Sequence, residues 1–438
     1  MFGPMFSTPH ASAATGSTAW LQAMLDFERA LAAAQAKTGI IPEDAAREIG
    51  RRCRAELFDA DDIAQRAVSS ATPVIALVRD LTALVDPVAA PYVHRGATSQ
   101  DVVDTAAMLV VRRTLDPVLD DLRAVAEQCA RLAREHRDTV MIARSLLQQA
   151  LPTTFGYRCA GWLTAVDAAT AGLRRVRDER LAVQYGGAAG TLAPLGEDGP
   201  QVLGLLASEL DLAEPPLPWH TDRTRVGELA GALATVAGAL GKIALDVKLH
   251  SQTEVGELAE GAPGGSSAMP HKRNPVGAVL ITAATQRVPG PVSTLLSAMP
   301  QEYERAAGAW QAEWEPLSEV LRLVASAASQ ARRMLTDLRV DPDRMAANVA
   351  LTRGLVMAES ASAALMDALG RAQAQELVSR LCRNVVERGT TLREELLADA
   401  QVRDVLSPED IESATEPGDY LGSATVFVDR ALSEQEDR

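Results

Sequence analysis

The stretch Gly261-Ala262-Pro263-Gly264-Gly265-Ser266-Ser267-Ala268-Met269-Pro270-His271-Lys272-Arg273-Asn274-Pro275 lies between two long helical patterns and concentrates groups that handle negative charge. Gly264 and Gly265 permit close backbone approach to a ligand and a lid-like swing. The hydroxyls of Ser266 and Ser267, the cations of Lys272 and Arg273, and the amide of Asn274 are groups that hold or generate a carboxylate-derived oxyanion. Composition alone fits a solvated interhelical connector as well. The order of the residues does not.

The flanking patterns set the fold class. Upstream, Val226, Leu229, Leu233, Val236, Leu240, Ile243 and Val247 repeat at alternating intervals of three and four, a heptad seam. Read from about Asp222 to Glu260, it predicts a helix of roughly 38 residues, nearly 60 Å at 1.5 Å per residue. That is longer than one compact subunit buries, so a bundle shared between subunits is expected. Gly227, Gly231, Gly238 and Gly241 permit close helix approach. Downstream, Val276 to Gln286 reads as helix, Pro289-Gly290-Pro291 breaks it, and a further helix runs from about Pro316 to Leu338.

The rest of the chain reads the same way. Helical patterns cover about Thr18 to Thr38 and Pro42 to Arg54, and Asp59, Asp61 and Asp62 offer caps for a helix through Ala67. Strand signals are almost absent. Two polar segments stand out. His94-Arg95-Gly96-Ala97-Thr98-Ser99-Gln100-Asp101 leads into a helix with a stripe at Leu115, Val118, Leu122, Val125, Cys129 and Leu132. Thr98 and Ser99 there are carboxylate binders at a helix N-terminus, or else Thr98, Ser99 or Asp101 is an ordinary cap. Arg144-Ser145-Leu146-Leu147-Gln148-Gln149 leads towards a second helical run from Thr154, and Gly186–Thr191 reads as a turn that can lie beside a ligand. The expected architecture is all-α, with an N-terminal helical domain over 1–104, a central long-helix bundle over 105–340 carrying the glycine-rich loop, and a small helical domain over 341–438.

Bulk properties narrow the function. Hydrophobic residues make up 47% and aromatics 4%, a core of Ala, Leu and Val suited to close helix packing. A net charge of −15 argues against nucleic acid or an anionic membrane as partner, so an anionic substrate needs a local cationic pocket. The 4 cysteines show no paired spacing, and none of the 6 histidines pairs at metal-ligand spacing. No signal peptide and no run of about 18 apolar residues is evident, which reads as a cytoplasmic protein. Against an arginine-rich background, a lysine at 272 is a compact charge that guanidinium does not replace.

Gly265 to Pro275 resembles the signature of the fumarase/aspartase superfamily, G-S-S-x-M-P-x-K-x-N-P, at every specified position. The Thr98-Ser99 region resembles its first motif, and Arg144–Ala150 its second. The resemblance implies three all-α domains and a homotetramer with a shared helical core, each active site drawing on three subunits. It implies proton transfer beside a carboxylate, with Ser266 as the base, Lys272 and Asn274 on the substrate carboxylate, and Thr98, Ser99 and Gln148 at its other end. His94, Arg95 and Arg305 are candidates for the remaining carboxylates. His220 is a candidate pocket group, with a capping role as its alternative. No cofactor or metal is implied.

Two departures bear on the leaving group. Members that expel amines or hydroxide carry His in the second motif and a Glu five residues after the signature Asn; here those places hold Leu146 and Val279. Losing both leaves neither partner buried and unpaired. A carboxylate, with a pKa near 4, departs without a proton. The pattern therefore resembles the lactone-forming branch of the superfamily, acting on a small tricarboxylate. Rival expectations are a lyase expelling another weakly basic group such as nitrite, an adenylosuccinate lyase, and a non-catalytic structural homologue.

Overall fold

The chain is described by a computed structural model covering every residue except Pro263, Ser266, Ser267, Ala268, Pro270, Asp437 and Arg438. Its principal helices are α1 (Ser17–Lys37), α2 (Ser99–Glu135), α3 (Phe155–Glu179), α4 (Thr224–His250), α5 (Val276–Arg287), α6 (Trp314–Thr336) and α7 (Pro342–Ala350). Shorter helices fill most of the remainder. By internal contacts the chain divides into one unit of Met1–Arg123, Ala168–Gly241 and Leu280–Ala331, and a second of Ala124–Asp167, Lys242–Val279 and Arg332–Arg438. The division falls within α2, α3, α4, α5 and α6.

The heptad seam of α4 is buried throughout, from Val226 to Val247. The helix itself is 27 residues long, about 40 Å, and not the roughly 38 expected from periodicity. It stops because the backbone turns at Gln252, whose carbonyl accepts the amides of Val255 and Gly256, with Gly256 at φ 63°. The polar Ser251-Gln252-Thr253 run has no seam to extend. By length and composition α4 is apolar enough to cross a membrane, a property that its interrupting charges Glu228, Lys242 and Asp246 conceal in the sequence. The stripe of α2 from Leu115 to Leu132 is likewise buried. Asp59 caps the helix Ala60–Ala67 through the amides of Asp61 and Asp62, each at 3.0 Å.

Two short antiparallel sheets accompany the helices of this all-α chain, where strand signals in the sequence are almost absent. The important one pairs β1 (Val140–Ser145) with β2 (Gln148–Thr154), and Ser145 faces Gln148 as the last pair. Leu146 and Leu147 thus form a two-residue turn, with φ of 50° and 66°. Such turns are normally written Asn-Gly, so this hairpin carries no recognisable sequence signal. A leucine in the left-handed region costs about 1–3 kcal/mol. The two side chains are 96% and 75% exposed, so little among the described residues packs on them. At the other end, Ile142 is buried in the C-terminal core with Val349, Met357, Leu365 and Leu381.

The start of α3 lies hard against the end of α2. A Cβ on Gly156 would sit 2.6 Å from Arg137 Cα and 2.7 Å from the carbonyl oxygens of Ala133 and His136. Backbone cannot yield as a side chain can. Gly156→Ala is expected to destabilise the protein by about 1–3 kcal/mol, the usual range for overpacking; thermal denaturation reads this directly, and an unchanged Tm would contradict the close packing.

Candidate active site

In the first unit, the site is built around two carboxylates on the first two turns of α2. Asp101 and Asp104 are buried. Asp101 Oδ2 accepts the Thr98 amide at 3.0 Å, half of a capping box. The same carboxylate accepts the amides of Gly186 at 3.0 Å and Gly187 at 2.9 Å, and His220 Nε2 at 2.7 Å. Gly186 is required there: a Cβ would meet Pro218 Cβ at 2.7 Å and His220 Cε1 at 2.9 Å. The first two amides of the glycine-rich bend are therefore committed to Asp101.

One turn on, Asp104 takes a bidentate pair from Arg223 at 2.8 and 3.1 Å, the Trp310 indole N–H at 2.9 Å and the Gln100 amide at 3.1 Å. Arg223 also pairs with Glu313 and lies 5.0 Å over the Trp219 ring. Burial opposes the charge on Arg223, but Asp104 and Glu313 outweigh it and raise its pKa. Burial pushes the Glu313 carboxyl up despite that pairing.

The outcome is the placement of Arg305. Its Nε donates to Gln100 Oε1 at 2.7 Å and its Nη1 to Thr98 Oγ1 at 2.9 Å. Among the described residues no carboxylate lies within ion-pair distance of it, and burial lowers its pKa. A half-buried guanidinium fixed by neutral groups retains its charge for an anionic ligand. Ser99, partly buried, is the first residue of α2. His94 is committed elsewhere: its Nδ1 bonds the buried Glu28 carboxylate at 2.6 Å. Burial opposes protonation of His94, but Glu28 raises its pKa overall. Arg95 turns its guanidinium to the Ile40 carbonyl at 3.2 Å.

In the second unit, Gln148 is exposed at the hairpin tip and Gln149 donates to the Asn348 carbonyl at 2.9 Å. The hairpin is held by Glu257, a fully buried carboxylate. It receives Arg144 Nη2 at 2.8 Å and Nη1 at 3.2 Å, His250 Nδ1 at 2.5 Å and Asn348 Nδ2 at 2.7 Å. Burial would raise its pKa, but the bonds from His250, Arg144 and Asn348 prevail and hold it at about 2.

The glycine-rich loop is closed at its base by reciprocal bonds between Gly264 and Asn274, both 2.9 Å. Glu260 caps α5 through the amides of Gly277 at 2.9 Å and Ala278 at 2.8 Å. Lys272 is exposed and Asn274 partly buried. Ser266 lies outside the described residues. Val279 is 49% exposed, so an apolar side chain faces out where the superfamily pattern has Glu.

Asp104, Arg223, Glu257 and Glu260 escape a reading from sequence, and Asp101 is legible there only as a cap. Acids inside a helical pattern look like solvated residues or caps, and their partners lie 80 or more positions away in most cases. The one available signal was Trp219-His220-Thr221 with Arg223, a polar run without apolar periodicity just before α4.

Arg223→Met should destabilise the protein by about 3–5 kcal/mol, because Asp104 and Glu313 would be left buried without a counter-charge; urea unfolding measures this, and a loss under about 1 kcal/mol would refute the triad's importance. The second expectation concerns acid. The folded-state pKa of Glu257, about 2, lies below its ordinary 4.5, so its stabilisation is present above pH 4.5 and lost as pH falls towards 2. Glu257→Gln should flatten that part of the stability–pH curve, and parallel curves for the two proteins would exclude Glu257 as its source.

The family described as "Lyase" matches residues 7–290, and that described as "Adenylosuccinate lyase C-terminus" matches 354–431. A 3-carboxy-cis,cis-muconate cycloisomerase of Pseudomonas aeruginosa is 47% identical over 420 residues, 94% of this chain and 92% of the relative. A nitrosuccinate lyase of Streptomyces davaonensis is 45% identical over 449 residues, 99% of this chain and 94% of its own. The crystal structure of the 3-carboxy-cis,cis-muconate lactonizing enzyme from Pseudomonas putida superposes with a TM-score of 0.95 at 41% identity, covering 100% of this chain and 99% of that one.

Proposed function

The chain belongs to the fumarase/aspartase superfamily of lyases, and on that premise we propose that it converts 3-carboxy-cis,cis-muconate to the γ-lactone 4-carboxymuconolactone. The observation that carries this reading is Leu146, exposed at the tip of the second-motif hairpin where a proton-donating His would otherwise stand, together with the apolar Val279. Neither place holds a group able to protonate a departing base. A carboxylate nucleophile or leaving group needs none.

The reaction is an isomerisation. One substrate carboxylate oxygen forms a C–O bond to a carbon of the conjugated diene, and the displaced π electrons move towards the carbon beside a second carboxylate. That intermediate carries its charge as an aci-carboxylate, which Lys272 and Asn274 hold. Ser266 delivers a proton to the α-carbon, completing the lactone. Thr98, Ser99, Gln148 and Arg305 bind the remaining carboxylates, Arg305 having its charge unspent on any protein carboxylate among the described residues. His220 is held by Asp101 and borders this site. No cofactor enters the scheme.

The working form is proposed to be a cytoplasmic homotetramer, with the three-domain division 1–104, 105–340 and 341–438. Its support is the outer face of α4. Thr224, Glu228, Gly231, Thr235, Gly238, Lys242 and Leu245 are exposed at alternating intervals of four and three, and a Cβ on Gly231 or Gly238 would meet nothing within 4 Å. A second seam of mostly small side chains on a core helix suits helix packing between subunits.

A second reading has one specific support, the nitrosuccinate lyase relative at 45% identity. Nitrite also departs without a proton. The deciding assay offers the purified protein each substrate in turn, following loss of diene absorbance for the muconate and nitrite release for nitrosuccinate. Muconate turnover is expected; none at micromolar enzyme would overturn the cycloisomerase reading, and nitrite release in its place would establish the second. Ser266→Ala should lower kcat by about 10²–10⁴, the usual contribution of a positioned acid or base.

A further inference from the structure

We propose that Glu257 is a positioning residue, whose buried carboxylate fixes the strained Leu146–Leu147 turn and so sets the placement of Gln148. The inference rests on the reading above in one respect, that Gln148 binds substrate. Two independent observations support it. The first is that, among the described residues, the turn has little to hold it: both leucines have positive φ, and both are largely exposed. Neither turn chemistry nor packing specifies that backbone.

The second is where the Glu257 bonds go. Arg144 lies on β1 and Gln149 on β2, and they face each other across the hairpin, one pair back from Ser145 and Gln148. Arg144 binds Glu257 in bidentate fashion. Gln149 binds the carbonyl of Asn348, whose own amide donates to Glu257 at 2.7 Å and to the Val255 carbonyl at 2.8 Å. Both strands are therefore anchored beside the turn to one carboxylate and its asparagine. The anchor is itself fixed: His250 ends α4, and Arg344 holds the loop before Glu257 through the carbonyls of Val255 at 2.9 Å and Glu254 at 2.7 Å. A buried carboxylate with bonds from β1, α4 and α7 transmits the rigidity of two helices to a turn that lacks its own.

Glu257→Gln retains the shape but removes the charge that Arg144 and His250 address. Hydrogen exchange in the absence of substrate is expected to show faster exchange at 145–149 by at least tenfold, with the α4 amides unchanged. In the muconate assay, kcat/KM should fall at least tenfold. Adding Leu147→Gly, which accepts positive φ without strain, should recover a large part of that loss in the Glu257→Gln background. Unchanged exchange at 145–149, or a loss of activity that Leu147→Gly does not recover, would overturn the inference. Should Glu257→Gln unfold, Arg144→Lys keeps the charge but breaks the bidentate grip, and the same exchange and rescue criteria apply. If the wild type fails to turn over the muconate, the substrate reading falls, and exchange at the hairpin still decides the role of Glu257.

Discussion

Two carboxylates on the first two turns of α2, Asp101 and Asp104, are buried where an unpaired charge is not tolerated. Much of the first unit's polar architecture answers that constraint. His220 and the amides of Gly186 and Gly187 serve Asp101; Arg223, Trp310 and Gln100 serve Asp104. Arg223 also pairs with Glu313, whose carboxyl is pushed up by burial and by the nearby Asp104. What remains is a cation with no carboxylate partner among the described residues: Arg305 is oriented by Gln100 and Thr98, two neutral groups that are themselves bonded to the buried acids.

The second unit solves a different problem. There a backbone conformation that leucine disfavours must persist at an exposed tip, and the means is a network at the hairpin's waist. Both units thus use deep carboxylates to aim groups that they do not touch. Truncating either acid would be felt at a distance, and the loss would register as misplacement before it registered as unfolding.

How much of this was legible in the sequence follows from the range of each interaction. The seam of α4 and the stripe of α2 repeat at helical spacing, so Val226 to Val247 and Leu115 to Leu132 could be read directly. The end of α4 could not, since a helix stops for reasons that include Glu257 reaching back to His250. The hairpin was missed because Leu146-Leu147 stands in for Asn-Gly. Thr98, Lys272 and Asn274 came from motif order, but His94 and Arg95, from the same motif, direct their side chains to Glu28 and the Ile40 carbonyl. Pairings across 80 or more residues leave no local pattern.

The Glu260 carboxylate sits on the amides that open α5, and this has a consequence for how the protein attracts its substrate. A helix N-terminus is a ready-made receptor for anions. Here that receptor is already filled by the chain's own side chain, and Gly277 leaves no more than 3.1–3.2 Å between a virtual Cβ and the occupying oxygens. At this loop the attraction then falls to discrete side-chain cations, in a chain whose net charge is −15. Capture of a multiply charged anion by such a molecule is a short-range event: the approaching substrate meets repulsion until it is within about a Debye length of its cations, and dissolved salt, by screening the acidic exterior, eases the approach as well as weakening the grip.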